Sequence, residues 1–167
     1  MPVLFSALLP PDDVVEAVAE AVGEQADGLR WEPPERWHVT LAYYGHDDVE
    51  TRGAWLAARL AGRAAVDVRL EKAATFPGVL WLTVAGSELT PLAHAAGADA
   101  EARPYVGHLT LARFPREEPG RAGRYTERLA HFASRGWTAT EVVLMTSERE
   151  PGGPRYRVAR AFELDRA

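Results

Sequence analysis

The chain has 167 residues, no cysteine and a formal net charge of −5. This length fits one domain, or two small lobes of one unit, and allows a hydrophobic core to be buried. The absence of cysteine excludes disulfide scaffolds, cysteine-ligated zinc, iron–sulfur clusters and thiol nucleophiles. The acidic charge argues against tracking of long nucleic acids, although eighteen arginines offer guanidinium groups to a local phosphate.

Hydrophobic periodicity and turn-forming residues predict about eight strands and four helices in a single unit spanning residues 1–167. In chain order these elements are a strand at 3–9, a helix at about 11–25, strands at 29–31 and 37–44, a helix from 47 or 48 to about 60, strands at 66–70 and 79–84, a helix from 87 or 90 to 96, a strand at 105–114, a helix at 124–134, and strands at 138–147 and 155–164. Their irregular alternation predicts an α+β fold with a mainly antiparallel sheet.

One short motif occurs twice in the predicted strands, seventy residues apart. The first copy begins at His38 and continues to Thr40 and Leu41, and the second begins at His108 and contains Thr110. Side chains alternate across a strand, so each histidine shares a face with its threonine while the aliphatic residues point into the core. Two lobes related by pseudo-symmetry would therefore direct two imidazoles and two hydroxyls into one cleft.

Two imidazoles and two hydroxyls suit phosphoryl chemistry that needs no metal. A neutral histidine can take a proton from the attacking nucleophile, and a protonated one can donate to the leaving oxygen. The threonine hydroxyls can donate to the non-bridging oxygens, where negative charge develops. The alternative interpretation is that the histidines are half-buried polar residues and the threonines are simply good strand formers. Matching copies at equivalent positions favour the catalytic interpretation.

The paired motifs and their surroundings resemble the two-histidine (2H) phosphoesterase superfamily, and within it the RNA 2′,3′-cyclic phosphodiesterases, historically called 2′-5′ RNA ligases. The resemblance extends over nearly the whole chain and includes segments 29–34, 76–82, 103–105 and 151–156 in addition to the motifs. It implies a bilobal fold, in which two pseudo-symmetric lobes of antiparallel sheet with outer helices flank a central cleft.

The resemblance also implies hydrolysis of an RNA or nucleotide 2′,3′-cyclic phosphate to a 2′-phosphomonoester, with no cofactor and no metal. It carries the catalytic roles onto His38 and His108 and substrate contacts onto Thr40 and Thr110. We assign His38 as general acid and His108 as general base, an order that the sequence does not distinguish from its reverse. The expected partners are RNA 3′ ends or small nucleotides with a 2′,3′-cyclic phosphate. The expected protein is a cytoplasmic monomer without a membrane span.

Tyr43 and Arg113 are further candidates for substrate contacts. Strict alternation places both on the same face as the aliphatic residues rather than with the histidines. Contact with a substrate in the cleft therefore requires a bulge or a bend in each strand.

The sequence departs from the family pattern at three positions. Ala42 stands where relatives often have arginine, and Val106 and Gly107 replace a frequent basic residue and a usual proline. The missing basic residues leave one alternative open, a non-catalytic module that binds nucleotides or RNA ends. A 2′-5′ RNA ligase or phosphodiesterase is a second alternative, because a site that hydrolyses a bond can also catalyse the reverse reaction.

Overall fold

Nine strands form one sheet in the computed structural model, which describes residues 1–25 and 28–166. The strands are β1 (Val3–Leu8), β2 (Arg30–Trp31), β3 (Val39–His46), β4 (Val66–Phe76), β5 (Val79–Gly86), β6 (His108–Arg113), β7 (Trp137–Ala139), β8 (Glu141–Glu150) and β9 (Gly153–Glu163). The α-helices are α1 (Asp12–Val22), α2 (Val49–Leu60), α3 (Thr90–Ala95) and α4 (Gly123–Arg128). Neighbouring strands in the sheet pair antiparallel, and the predicted α+β class is confirmed.

The sheet divides into two lobes at its middle. Its order is β7-β4-β5-β6-β3-β1-β8-β9, with β2 paired to β6. Strand β3 begins one residue after His38, and β6 begins at His108. Within the described residues these two strands are joined at one pair, Val39 and Leu109. Farther along β6, the short strand β2 replaces β3 as the neighbour and pairs with Ala112 and Arg113. The two motif strands therefore separate from each other, and a cleft opens between the lobes.

The sheet is strongly curled, because its distant strands are connected by almost no chain. Strand β7 lies at one end of the order and β8 in the opposite lobe, yet only Thr140 separates them in sequence. The Thr140 carbonyl accepts a hydrogen bond from the Leu164 amide at 2.8 Å, just after β9. Ala64 and Asp165 add an isolated bridge between the same regions. The result is a half-barrel.

Helix α1 shows how the sequence supplies the outer layer. Val14, Val18 and Val22 recur every four residues and are buried, which is the stripe expected of a helix that packs on a core. The helix follows Pro11 and ends at Gly23, whose φ of 67° lies in the left-handed region. Glycine adopts that conformation without steric penalty, so the predicted helix stops before residue 25.

Helix α4 is shorter than predicted. The predicted helix covers 124–134, but the observed one ends at Arg128. The Ser134 amide instead donates to the Leu70 carbonyl at 2.8 Å, and the Ser134 hydroxyl accepts from the Leu70 amide at 3.0 Å. Residue 134 therefore bonds to the edge of β4 instead of continuing the helix.

Most predicted strands shift by one or two residues at an end, and three differ by more. The strand predicted at 138–147 is split at Thr140 into β7 and β8, because its first part pairs with β4 and its second part with β1. Strand β4 runs on to Phe76, beyond the predicted end at residue 70. Strand β6 begins at His108 rather than at residue 105.

Candidate active site

The cleft between the lobes has a volume of about 930 Å³. Its lining contains all six residues that the sequence analysis singled out: His38, Thr40, Tyr43, His108, Thr110 and Arg113. The first three belong to β3 or the residue just before it, and the last three belong to β6. The fold therefore brings the two motifs, seventy residues apart in sequence, to one site.

Each motif strand contains a bulge immediately after its threonine. In β3, Thr40 pairs with Ala7 and Ala42 pairs with Ser6, so Leu41 is an extra residue without an opposite partner in β1. Both Leu41 and Ala42 are buried, which interrupts the alternation of side chains. Beyond the bulge the alternation is shifted by one residue, and Tyr43 lies in the cleft with 62% of its surface exposed.

The bulge in β6 has the same form. Thr110 pairs with Trp81 and Ala112 pairs with Leu80, so Leu111 is the extra residue. Leu111 and Ala112 are both fully buried. Arg113 consequently lies on the cleft face with His108 and Thr110, contrary to simple alternation.

The two histidines are held in the same tautomer. The Nδ1 atom of His38 lies 2.7 Å from the Arg36 carbonyl oxygen, and that of His108 lies 2.9 Å from the Val106 carbonyl oxygen. A carbonyl oxygen can only accept, so each Nδ1 carries a proton and donates it. In both residues Nε2 is therefore the atom that can take up or release a proton during a reaction.

His38 lies in an aromatic setting built by the lobe of β1 and β9. Its ring centroid is 4.9 Å from that of Phe5 and 5.4 Å from that of Tyr156, which meets it edge-on. Burial lowers the pKa of His38 below its usual value, while the Arg36 carbonyl and the Glu32 carboxylate act in the opposite direction. The net effect favours the neutral imidazole.

His108 has a corresponding setting in the other lobe. Phe76 of β4 and Trp81 of β5 stack on each other at 4.5 Å, and both meet the His108 ring edge-on at 5.4 and 5.8 Å. Tyr105 ties this region to the first motif, because its hydroxyl donates to the Thr40 carbonyl at 2.7 Å. Aromatic rings thus pack against both imidazoles, and the Tyr105 hydrogen bond joins the segments that contain the two motifs.

The cleft lining is more basic than the chain as a whole. Among the described residues it contains four arginines and two glutamates, against a formal net charge of −5 for the whole sequence: Arg30, Arg36, Arg113, Arg149, Glu32 and Glu150. The Glu32 carboxylate accepts from Arg36 Nε at 3.2 Å and lies 3.8 Å from Arg113 Nε. A surplus of guanidinium groups favours an anionic ligand.

Several lining residues were not identified from the sequence. Phe5, Glu32, Arg36 and Tyr156 all line the cleft but lie outside both histidine motifs. They reach the site because β1 pairs with β3 and because the β8–β9 hairpin folds back over residues 32–38. The proline and glycine residues at 151–154 indicated a hairpin turn, but they carry no signal of where its tip would lie.

Within residues 1–25 and 28–166, no group of three or more histidine, aspartate or glutamate side chains is arranged to hold a metal ion. No helix in the described part of the chain has the length and apolar character to cross a membrane. The side chains that line the cleft include imidazoles, hydroxyls and guanidinium groups, beside the carboxylates of Glu32 and Glu150. Such a set can bind a phosphate and move protons to and from its oxygens.

The fold is similar to those of several solved structures. A crystal structure of a protein from Thermus thermophilus matches with a TM-score of 0.75 and 24% identity, over 97% of this chain and 97% of that chain. Escherichia coli LigT complexed with NADP+ matches with a TM-score of 0.74 and 23% identity, over 98% of both chains. The complex of LigT with 3′-AMP gives a TM-score of 0.72 and 20% identity, again over 98% of both chains. These likenesses establish the bilobal 2H phosphoesterase fold.

The family follows from the sequence profile rather than from the fold. The profile of the 2′-5′ RNA ligase superfamily matches residues 10–151, which include both histidine motifs. No curated protein matches the chain significantly. The chain belongs to the 2′-5′ RNA ligase superfamily of 2H phosphoesterases, and the resemblance noted in the sequence is confirmed.

Proposed function

We propose that the protein hydrolyses the 2′,3′-cyclic phosphate of an RNA end or nucleotide to a 2′-phosphomonoester, with His38 and His108 as the catalytic acid–base pair. The proposal depends above all on one observation, the two imidazoles with protonated Nδ1 atoms that line one cleft with two threonines. The complexes of E. coli LigT with 3′-AMP and NADP+ support a nucleotide as the ligand of this cleft.

The reaction needs one proton to leave the nucleophile and one to reach the leaving oxygen. A water molecule attacks phosphorus, its oxygen forms the new P–O bond, and one imidazole Nε2 accepts its proton. The bond from phosphorus to the 3′ oxygen breaks, and the other imidazole donates its Nε2 proton to that oxygen. Thr40 and Thr110 donate hydrogen bonds to the non-bridging oxygens, while Arg113 offers its guanidinium to the phosphate and Tyr43 an aromatic ring to the base.

The order of the two histidines is assigned from their surroundings. Burial lowers the pKa of His38 and so favours the neutral imidazole, the form that a general base requires. We therefore propose His38 as base and His108 as acid, the reverse of the order assigned in the sequence analysis. A substrate with sulfur in place of the 3′ oxygen has a better leaving group, because a thiolate departs without being protonated by a general acid. It should restore turnover to His108→Ala but not to His38→Ala.

The first experiment is incubation of the protein with a short RNA that ends in a 2′,3′-cyclic phosphate, in excess EDTA, followed by identification of the product. A 2′-monophosphate supports the proposed reaction, and His38→Ala and His108→Ala should each lower kcat by roughly a hundredfold or more. A 3′-monophosphate would instead require the 2′ oxygen as leaving group. Recovery of unchanged substrate bound to folded protein would favour the binding module, and a joined 2′-5′-linked product would favour the ligase.

A further inference from the structure

Arg36 connects three parts of the cleft although it lies outside both motifs. It is the last residue of a short 3-10 helix, Pro34–Arg36, two positions before His38. Its backbone carbonyl accepts the Nδ1 proton of His38 at 2.7 Å. Its side chain donates from Nη1 to the Pro154 carbonyl at 2.9 Å and from Nε to Glu32 at 3.2 Å. One residue thus ties the backbone that orients His38 to the tip of the β8–β9 hairpin.

The hairpin is closely fitted around this guanidinium. Gly153 has a φ of 117°, and a Cβ atom at that position would lie 3.1 Å from both Nη1 and Nη2 of Arg36. Two residues after Pro154 the path of β9 reaches Tyr156, whose ring meets His38 edge-on at 5.4 Å. The Arg36 side chain therefore fixes the hairpin beside the point where that hairpin contacts the imidazole.

The second motif has no side chain that corresponds to Arg36. Val106 occupies the corresponding position two residues before His108, and its carbonyl likewise accepts the histidine Nδ1 proton. The Val106 side chain is 48% exposed and, being aliphatic, cannot donate to another segment. The two imidazoles have the same hydrogen-bond geometry, but only the carbonyl that orients His38 belongs to a residue with a tethered side chain.

We propose that Arg36 is a positioning residue for His38, which clamps the β8–β9 hairpin to the carbonyl-bearing turn and thereby fixes the tautomer and orientation of the imidazole. The catalytic consequence rests on the proposed function of the cleft, whereas the structural one can be measured in the free protein. The titratable and charged groups that face His38 from the surrounding elements are Glu32, Tyr156 and His108.

Arg36 also lines the cleft, so direct binding of a phosphate is the competing role. The two roles respond differently to Arg36→Lys and Arg36→Gln. Lysine keeps the charge but has no planar fork that could bond to Glu32 and Pro154 together. Positioning therefore predicts that both variants lose activity, whereas phosphate binding predicts that lysine retains most of it.

The test combines kinetics with nitrogen-15 NMR of the histidine rings. Both variants should lower kcat for the cyclic phosphate by roughly ten- to a hundredfold, with little change in KM. In the ligand-free protein, the His38 Nδ1 proton should exchange with solvent faster than in wild type. The His108 signal is an internal control and should not change, because Val106 has no tether. Arg63→Gln, which removes an exposed arginine outside the cleft, should leave both measurements unchanged.

Gly153→Ala tests the same contact from the other side. It should lower kcat, and its effect should be smaller when Arg36→Gln is already present, since the contact with Arg36 is then lost and only the strain of alanine at a φ of 117° remains. Gly62→Ala controls for strain, because Gly62 has a φ of 74° but open space around its Cβ position; it should leave kcat unchanged.

Three results would overturn the positioning role. One is an unaltered His38 signal and kcat in both Arg36 variants, and another is a raised KM that lysine restores. The third is a pair of independent effects for Arg36→Gln and Gly153→Ala. Failure of the proposed function has a different signature, because wild-type protein would then not turn over the cyclic phosphate while the His38 signal would still respond to Arg36→Gln.

Discussion

Leu109 lies in the seam that joins the two lobes, and its truncation should destabilise the whole molecule. It pairs with Val39 of β3 on one side and with Leu82 of β5 on the other, and all three side chains are fully buried. Neighbours on both sides restrict collapse of the cavity that Leu109→Ala leaves. We therefore expect a loss of about 3 kcal/mol in the free energy of unfolding, a large part of the roughly 5–15 kcal/mol of a typical domain.

Urea unfolding followed by tryptophan fluorescence measures this loss, since the chain has five tryptophans. We propose that residues 1–167 form one cooperative unit, so the variant should shift a single transition without splitting it. Val158→Ala is the control, because Val158 is 51% exposed and its truncation should cost less than about 0.5 kcal/mol. A loss below about 1 kcal/mol for Leu109→Ala, or separate transitions for the two lobes, would refute the reasoning.

Three further predictions concern a helix cap, a titration and a substrate contact. Asp48 accepts from the Thr51 amide at 2.8 Å and caps α2, so Asp48→Ala should cost about 1 kcal/mol in urea unfolding and Asp48→Asn much less. The pKa of His38 is lowered by burial, so the unfolded chain binds this proton more readily. Stability should fall as pH drops below the unfolded value of 6.5 and level off below the folded one. Unfolding measured across this range should show a weaker pH dependence in His38→Gln; an unchanged dependence would mean that His38 does not contribute, and a stronger one would contradict the sign. Arg113→Gln should raise KM by roughly tenfold with a smaller effect on kcat, whereas an unchanged KM would place Arg113 outside the binding site.

The parts of the fold that the sequence predicts well are those with local causes. The valine stripe of α1 and the aspartate before α2 determine their helices without reference to distant residues. The early end of α4 and the break at Thr140 have distant causes, because each depends on which strand edge accepts the backbone. The position of the β8–β9 tip over Arg36 is likewise a contact between residues more than a hundred positions apart.

Tyr43 and Arg113 show the same limit within the site. Period-two alternation placed them on the buried face, and the bulges after Thr40 and Thr110 place them in the cleft instead. The repeat did contain a signal for this, since both threonines are followed by leucine and then alanine, two adjacent apolar residues that both point inward. An alternating strand cannot bury such a pair on one face without an inserted residue.

The matching bulges also explain how a nearly symmetric scaffold acquires an asymmetric cleft. Each lobe offers a histidine, a threonine and, after its bulge, one further cleft residue at an equivalent position. That residue is Tyr43 in one lobe and Arg113 in the other, so one wall of the cleft carries an aromatic ring and the other a cation. A nucleotide is itself asymmetric, with an aromatic base at one end and an anionic phosphate at the other. The difference between Tyr43 and Arg113 makes the two walls of the cleft distinct, so a nucleotide can bind in one orientation. The histidine and threonine pairs are the same in both lobes and cannot select an orientation.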